Sequence, residues 1–224
     1  VFSHQSIHQL ASVAVVEDDS SVVKKEASPT SEWVLPLFPI QQWFMQQQWA
    51  DTHHWNQSAL LQTRIGFDVS DLQAVAEGLM QAHPALRLSV GKSEDDWQTA
   101  YRSNFVADQV QHVELDDLSD EDFHQQMGLK MSQAQVGLSP QNGRIWQMVW
   151  LSRRTKPGRL FWTIHHLAVD SVSWRILLAD LETLMTQGML SQPLRLPSPS
   201  NDLLRVSEHY QQMTSKPDQV ATLS

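Results

Sequence analysis

The stretch Leu160-Phe161-Trp162-Thr163-Ile164-His165-His166-Leu167-Ala168-Val169-Asp170-Ser171-Val172-Ser173-Trp174 decides the fold class. Leu160 to Ile164 is a short apolar run with aromatic and β-branched side chains, which reads as a buried strand. Two histidines and a short loop follow, and Val172 to Met185 then carries a strong helical pattern. Upstream, Ile145 to Leu151 is a second apolar strand, joined to Arg159–Ile164 by the basic turn 153–158, so the two read as a hairpin. Further towards the N-terminus, Pro39 suits the first turn of a helix running through Ile40, Trp43, Phe44 and Trp49. Gln57 to Phe67 alternates apolar and polar residues, the period of a strand. Ser70 is a suitable N-cap for a helix carrying Leu72, Val75, Leu79 and Met80. His83-Pro84 ends that helix, and Ala85 to Val90 reads as the next strand. Ser119 caps an amphipathic helix through Phe123, Met127, Leu129 and Met131, and Leu203 to Met213 is a last helix. Strands interleaved with helices give an α/β architecture in which helices cover a mixed sheet.

The chain has 224 residues, a length for one large domain or two small ones. With 16 Lys+Arg against 25 Asp+Glu and a net charge of −9, it lacks the basic footprint of a nucleic-acid binder. Zero cysteines exclude a disulfide scaffold, a cysteine nucleophile and a thiolate metal site within it. Its apolar runs fall short of the roughly 20 residues that a membrane span needs. The first residues do not follow a signal-peptide pattern, and a soluble cytoplasmic protein is expected. Residues 1–15 have the apolar spacing of a short helix, residues 16–33 are a polar, serine-rich linker, and residues 34–224 form the folded unit. None of the eight glycines builds a GxGxxG or GxxxxGK loop, so nucleotide binding has no support.

Chemistry concentrates at His165-His166. Polar groups at the end of a buried strand and just before a helix lie where α/β folds assemble sites. Neighbouring residues on a strand point to opposite sides, so one histidine faces a cavity while the other packs as a hydrogen-bonding core residue. The cavity-facing one is a candidate general base. Asp170 fixes the local turn or pairs with an arginine, and the competing reading makes both histidines core residues satisfied by backbone groups. His166 and Asp170 are four apart, as metal ligands on one helix would be, but the strand before them argues against a helix there. His53-His54 reads as a packing or capping loop. Ser171 and Ser173 lie close by without a GxSxG nucleophile elbow, so serine hydrolysis is weak. Nine tryptophans in an acidic chain read as core rather than as a base-stacking platform.

His165-His166-Leu167-Ala168-Val169-Asp170-Ser171 resembles the HHxxxDG signature of condensation-type domains in nonribosomal peptide synthetases. Three further segments resemble the epimerization branch of that superfamily. They are Pro39-Ile40-Gln41-Gln42-Trp43-Phe44 with His53-His54-Trp55-Asn56-Gln57-Ser58, then His83-Pro84-Ala85-Leu86-Arg87, and then Val172-Ser173-Trp174-Arg175-Ile176-Leu177-Leu178 with Asp180-Leu181. Phe2 to Ala11 is similar to the last helix of a peptidyl carrier domain. The resemblance implies a chloramphenicol-acetyltransferase-like fold of two lobes in a V, of which residues 34–224 match the N-terminal lobe. It implies an isomerase of secondary-metabolite biosynthesis that interconverts L and D configurations at the α-carbon of a carrier-bound aminoacyl or peptidyl thioester. His166 would then be the acid/base residue, working with a glutamate on the second lobe, and His165 and Asp170 its supports. Ser171, Ser173 and Trp174 would support the motif or line the substrate tunnel, with Ser171 standing where the signature has glycine. The implied partners are a carrier domain, neighbouring synthetase domains and the C-terminal lobe, with no nucleic acid or membrane. No cofactor binds directly, because the substrate arrives on phosphopantetheine. An amide-forming condensation domain and a non-catalytic lobe that docks a carrier domain are the alternatives.

Overall fold

A computed structural model describes residues 33–47, 49–65, 69–93, 96–101, 109–197 and 203–214. Their order is β1 (Trp33–Pro36), α1 (Pro39–Gln46), β2 (Asn56–Gln62), α2 (Val69–Ala82), β3 (Leu88–Ser93), β4 (Asp96–Tyr101), β5 (Val110–Glu114), α3 (Asp120–Val136), β6 (Trp146–Ser152), β7 (Arg159–His165), α4 (Ser171–Met189) and α5 (Leu203–Thr214). The expected carrier-like helix at residues 1–15 and the linker, bar its last residue, lie outside the described residues.

Two sheets form. β1, β4 and β3 make a three-stranded antiparallel sheet, and a four-stranded mixed sheet runs β2-β7-β6-β5. The expected hairpin is there: β6 and β7 pair antiparallel, with Trp146 opposite Ile164 and Leu151 opposite Arg159. β5 lies parallel to β6, and α3 makes the crossover that a parallel pair requires. Both central strands are apolar on both faces because each face meets a different layer. On one side Trp146, Met148, Leu160, Trp162 and Ile164 pack with Leu72, Val75 and Leu79 of α2 and with Leu177, Leu181 and Leu184 of α4. On the other side Val149, Leu151 and Phe161 meet Phe123 and Ala134 of α3.

Local chemistry explains most of the boundaries. Ser119 caps α3, its Oγ accepting from the Asp122 N–H at 3.1 Å, and Asp120, Glu121 and Asp122 complement the positive end of the helix dipole. His83 Nε2 meets Asp180 Oδ2 at 2.7 Å, tying the end of α2 to α4.

Several expectations need correction. Pro84–Arg87 is a 3-10 turn rather than strand, since a proline at its first position favours helical φ, and β3 starts only at Leu88. α1 ends at Gln46, so Trp49 stands beyond it, and both Trp43 (45%) and Trp49 (42%) are exposed. β2 runs Asn56–Gln62 and stops short of Ile65, while Phe67 lies outside the described residues. α2 already includes Val69, which places Ser70 inside its first turn rather than before it. Leu129 of α3 faces solvent, because Phe123 and Ala134 supply the buried face. β1, β4 and β5 are short strands that the apolar periodicity did not show.

Candidate active site

The histidine pair sits where β7 ends. His165 is the last strand residue, with Asn56 of β2 opposite it, and its N–H donates to Ile145 O at 2.8 Å. His166 leaves the sheet, and its N–H donates to Trp55 O at 2.8 Å.

The two rings take opposite tautomers. His165 is fully buried. Its Nε2 lies 3.0 Å from Thr52 O, a group that only accepts, so Nε2 carries the hydrogen. Its Nδ1 therefore has the lone pair, and it accepts from Leu167 N at 3.2 Å. Burial pushes the His165 imidazole down to about 4 from the ordinary 6.5, with the backbone bond to Thr52 opposing and His166 and His53 adding to the fall. In His166 it is Nδ1 that faces a carbonyl, Val169 O at 2.7 Å, so Nδ1 carries the hydrogen and Nε2 the lone pair. That lone pair points to Gln57 of β2, whose Nε2 donates to it at 3.1 Å.

Aromatic rings hold the pair in place. Trp55 stacks on His166, with centroids 4.9 Å apart and planes 26° from parallel. Phe44 stacks on Trp55 at 4.2 Å and meets His165 edge-on at 5.3 Å. Gln41 of α1 is buried and clamps the loop after the histidines. Its Nε2 donates to Leu167 O at 3.2 Å while its Oε1 accepts from Phe38 N at 2.9 Å. Asn56 Oδ1 accepts from Thr163 Oγ1 at 3.2 Å and from Gln135 Nε2 of α3 at 3.0 Å.

Asp170 is the N-cap of α4: its Oδ1 accepts from the backbone N–H and the hydroxyl of Ser173, both at 2.7 Å. Those two bonds hold its carboxyl below the usual carboxylate range. Ser171 opens α4 and is exposed, and its φ is not positive, so the position makes no conformational demand for glycine. Trp174 packs edge-on against Trp162 at 5.3 Å, which joins α4 to β7.

The structure thus brings His165, His166, Asp170, Ser173 and Trp174 together at the head of α4, and it adds Gln41, Thr52, Trp55 and Gln57. Three of these four stood inside the quoted motifs, but no spacing rule connects them to a histidine more than a hundred positions away. A separate open cleft of about 270 Å³ lies at the other end of β6 and β7, lined by Arg64, His112, Trp150 and Arg153 among others. It contains none of the motif residues.

Comparison with known proteins places this arrangement. The family model described as Condensation domain matches residues 31–223. A component of the linear gramicidin synthase of Brevibacillus parabrevis is 36% identical over 201 residues, which cover 88% of this chain and 4% of that protein. Surfactin synthase subunit 2 of Bacillus subtilis (strain 168) is 30% identical over 205 residues, 90% of this chain and 6% of that protein. The epimerization domain from the third module of a tyrocidine synthetase has the same fold, with a TM-score of 0.75 at 24% identity over 82% of this chain and 40% of that one. The starter condensation domain of rhizomide synthetase follows with a TM-score of 0.69 at 14% identity, over 81% of this chain and 46% of that one. The chain spans a small fraction of those two synthases and under half of each solved domain. The mixed α/β fold is that of condensation-domain lobes.

Proposed function

The chain belongs to the condensation-domain superfamily of nonribosomal peptide synthetases, and from that premise we propose that it is part of an epimerization domain. The substrate in this reading is an aminoacyl or peptidyl thioester carried on the phosphopantetheine arm of a carrier domain, and the reaction inverts its α-carbon. The observation that carries the reading is the His166 ring nitrogen that no backbone group holds among the described residues: Nδ1 is spent on Val169 O, while the Nε2 lone pair meets the Gln57 side-chain N–H, which a substrate C–H displaces as it delivers its proton. A thioester α-proton is weakly acidic, so a positioned neutral imidazole is a suitable base for it. The α C–H bond breaks, the electron pair stays on the substrate as an enolate, and the proton forms an N–H bond on Nε2.

Inversion also needs a proton delivered to the opposite face, and dipoles that stabilise the enolate oxygen. We place both in the portion of such domains that this chain does not cover, so the chain acts as one wall of the site. In this reading His165 and Asp170 support His166, the former through the strand end and the latter through the head of α4. Ser173 completes the cap, Trp174 anchors the helix, and Ser171 stands at its exposed first position. The epimerization-branch residues Gln41, Trp55 and Gln57 all bear on the histidine loop, which favours this branch.

The second reading is amide formation between two carrier-bound substrates, which the shared fold of the starter condensation domain supports. A longer synthetase containing this chain separates the two when it is supplied with two loaded carrier domains. Inverted thioester without amide is the expected product. Amide without inversion would overturn the proposal.

A further inference from the structure

Among the described residues Gln57 is the side chain that meets the second ring nitrogen of His166, and half of its amide is unused. Its Nε2 donates to His166 Nε2 at 3.1 Å, while its Oε1 is buried with no hydrogen-bond partner among the described residues. β2 pairs Gln57 with Ile164, two residues before His166, so the sheet register aims it at the ring. The ring cannot turn to meet it differently, because Trp55 stacks on its face and Val169 O holds Nδ1.

A carboxamide offers a donor at one end and an acceptor at the other, and its terminal torsion is broad and roughly two-fold. Rotation of the Gln57 amide by half a turn breaks no bond except the one to His166, since Oε1 holds nothing else. It then presents Oε1 to the same ring nitrogen. We propose that Gln57 is a positioning residue serving both protonation states of His166: its N–H donates to the neutral ring at rest, it gives up that lone pair to the substrate C–H, and after rotation its Oε1 accepts from Nε2–H once the ring has taken the proton. This rests on His166 as the acid/base residue.

The bond formed after rotation has a charged donor and is the stronger of the two, so the amide favours the imidazolium that accompanies the enolate. No carboxylate among the described residues takes that place. The titratable groups that bear on the pair are His165, His53 and Asp170, and Asp170 is bound to Ser173.

Nitrogen-15 and carbon-13 spectra of this chain through an acid titration test the device without needing activity. At alkaline pH the His166 ring should show a protonated Nδ1 and a bare Nε2. As Nε2 gains its proton, the Gln57 carboxamide signals should move with the same midpoint. Carboxamide signals that stay flat through the His166 transition would overturn the proposal. The Gln57→Glu variant should hold His166 doubly protonated at neutral pH, visible in the same ring signals. In the longer synthetase, Gln57→Leu should lower kcat for α-proton exchange about 10- to 100-fold with little change in KM. An unchanged kcat would count against the inference. If the carboxamide and ring signals move together but wild-type synthetase exchanges no α-proton, the epimerization reading fails and the pairing of Gln57 with His166 stands.

Discussion

At the Arg159 end of β7, Asp120 takes Arg153 at 2.8 Å and Lys156 at 2.6 Å, and Asp116 takes Arg154 at 3.1 Å, with at least one partner of each pair exposed. At the His165 end the partners of the two histidine rings are largely backbone: Thr52 O, Val169 O and the N–H of Leu167. Exposed ion pairs are screened by salt and contribute little to stability. Buried neutral groups tied to backbone have one arrangement, because any other leaves a polar atom unpaired. The first end closes a turn. The second fixes which nitrogen of which ring carries a proton, and chemistry requires that.

Acid should separate the two ends most strongly. His165 takes a proton near 6.5 when unfolded but only at about 4 when folded. Its contribution is therefore intact above 6.5 and is lost as the pH falls towards 4, by on the order of 3 kcal/mol. Urea midpoints measured across that window should fall in the wild type, and the slope should flatten in His165→Asn. Parallel slopes in the two proteins would break the distinction.

The turn end depends on shape more than on charge. A Cβ at Gly158 would lie 2.6 Å from Leu151 O and 2.7 Å from Thr63 Oγ1. Gly158→Ala should cost about 1–3 kcal/mol in denaturant unfolding, the usual cost of overpacking. At the head of α4, Asp170→Ala removes the cap and should cost about 1 kcal/mol, while Asp170→Asn keeps most of it.

The smallest effect belongs to Asp120. Its hydrogen bonds from Lys156 and then Arg153 hold the carboxyl down at about 2, against an ordinary 3.8. Their contribution is present above 3.8 and is lost as the pH falls towards 2. Asp120→Asn should lower the melting temperature only slightly, and about 1 M salt, which screens charges beyond about 3 Å, should erase the difference.

The legible parts of the fold are those whose local pattern matches their burial. Leu160–Ile164 and Ile145–Leu151 are largely apolar, broken only by Thr163 and Gln147, because both faces are covered, and Leu72, Val75 and Leu79 repeat at helical spacing because one face is. β5, Val-Gln-His-Val-Glu, is mostly polar and is held at the sheet edge by its register with β6, which no window of sequence contains. Ala85–Arg87 reads as the start of a strand from its residues and belongs to a 3-10 turn because Pro84 sets the backbone there. The site divides in the same way. The histidine pair at the end of an apolar strand and a local turn fixed by Asp170 before a helix are legible in the residues, whereas the roles of the two rings depend on the backbone groups they meet. Gln57 and Trp55 reach His166 through the pairing of β2 with β7, and their residue types alone did not show that contact.

The central claim is that His166 Nε2 takes the α-proton. Its most direct test is deuterium uptake at the α-carbon of a carrier-bound aminoacyl thioester, in heavy water, by the longer synthetase containing this chain and by its His166→Ala variant. Uptake accompanied by inversion in the wild type, and slowed about 10²- to 10⁴-fold in the variant, is the expected result. Uptake at the wild-type rate in His166→Ala would contradict the assignment.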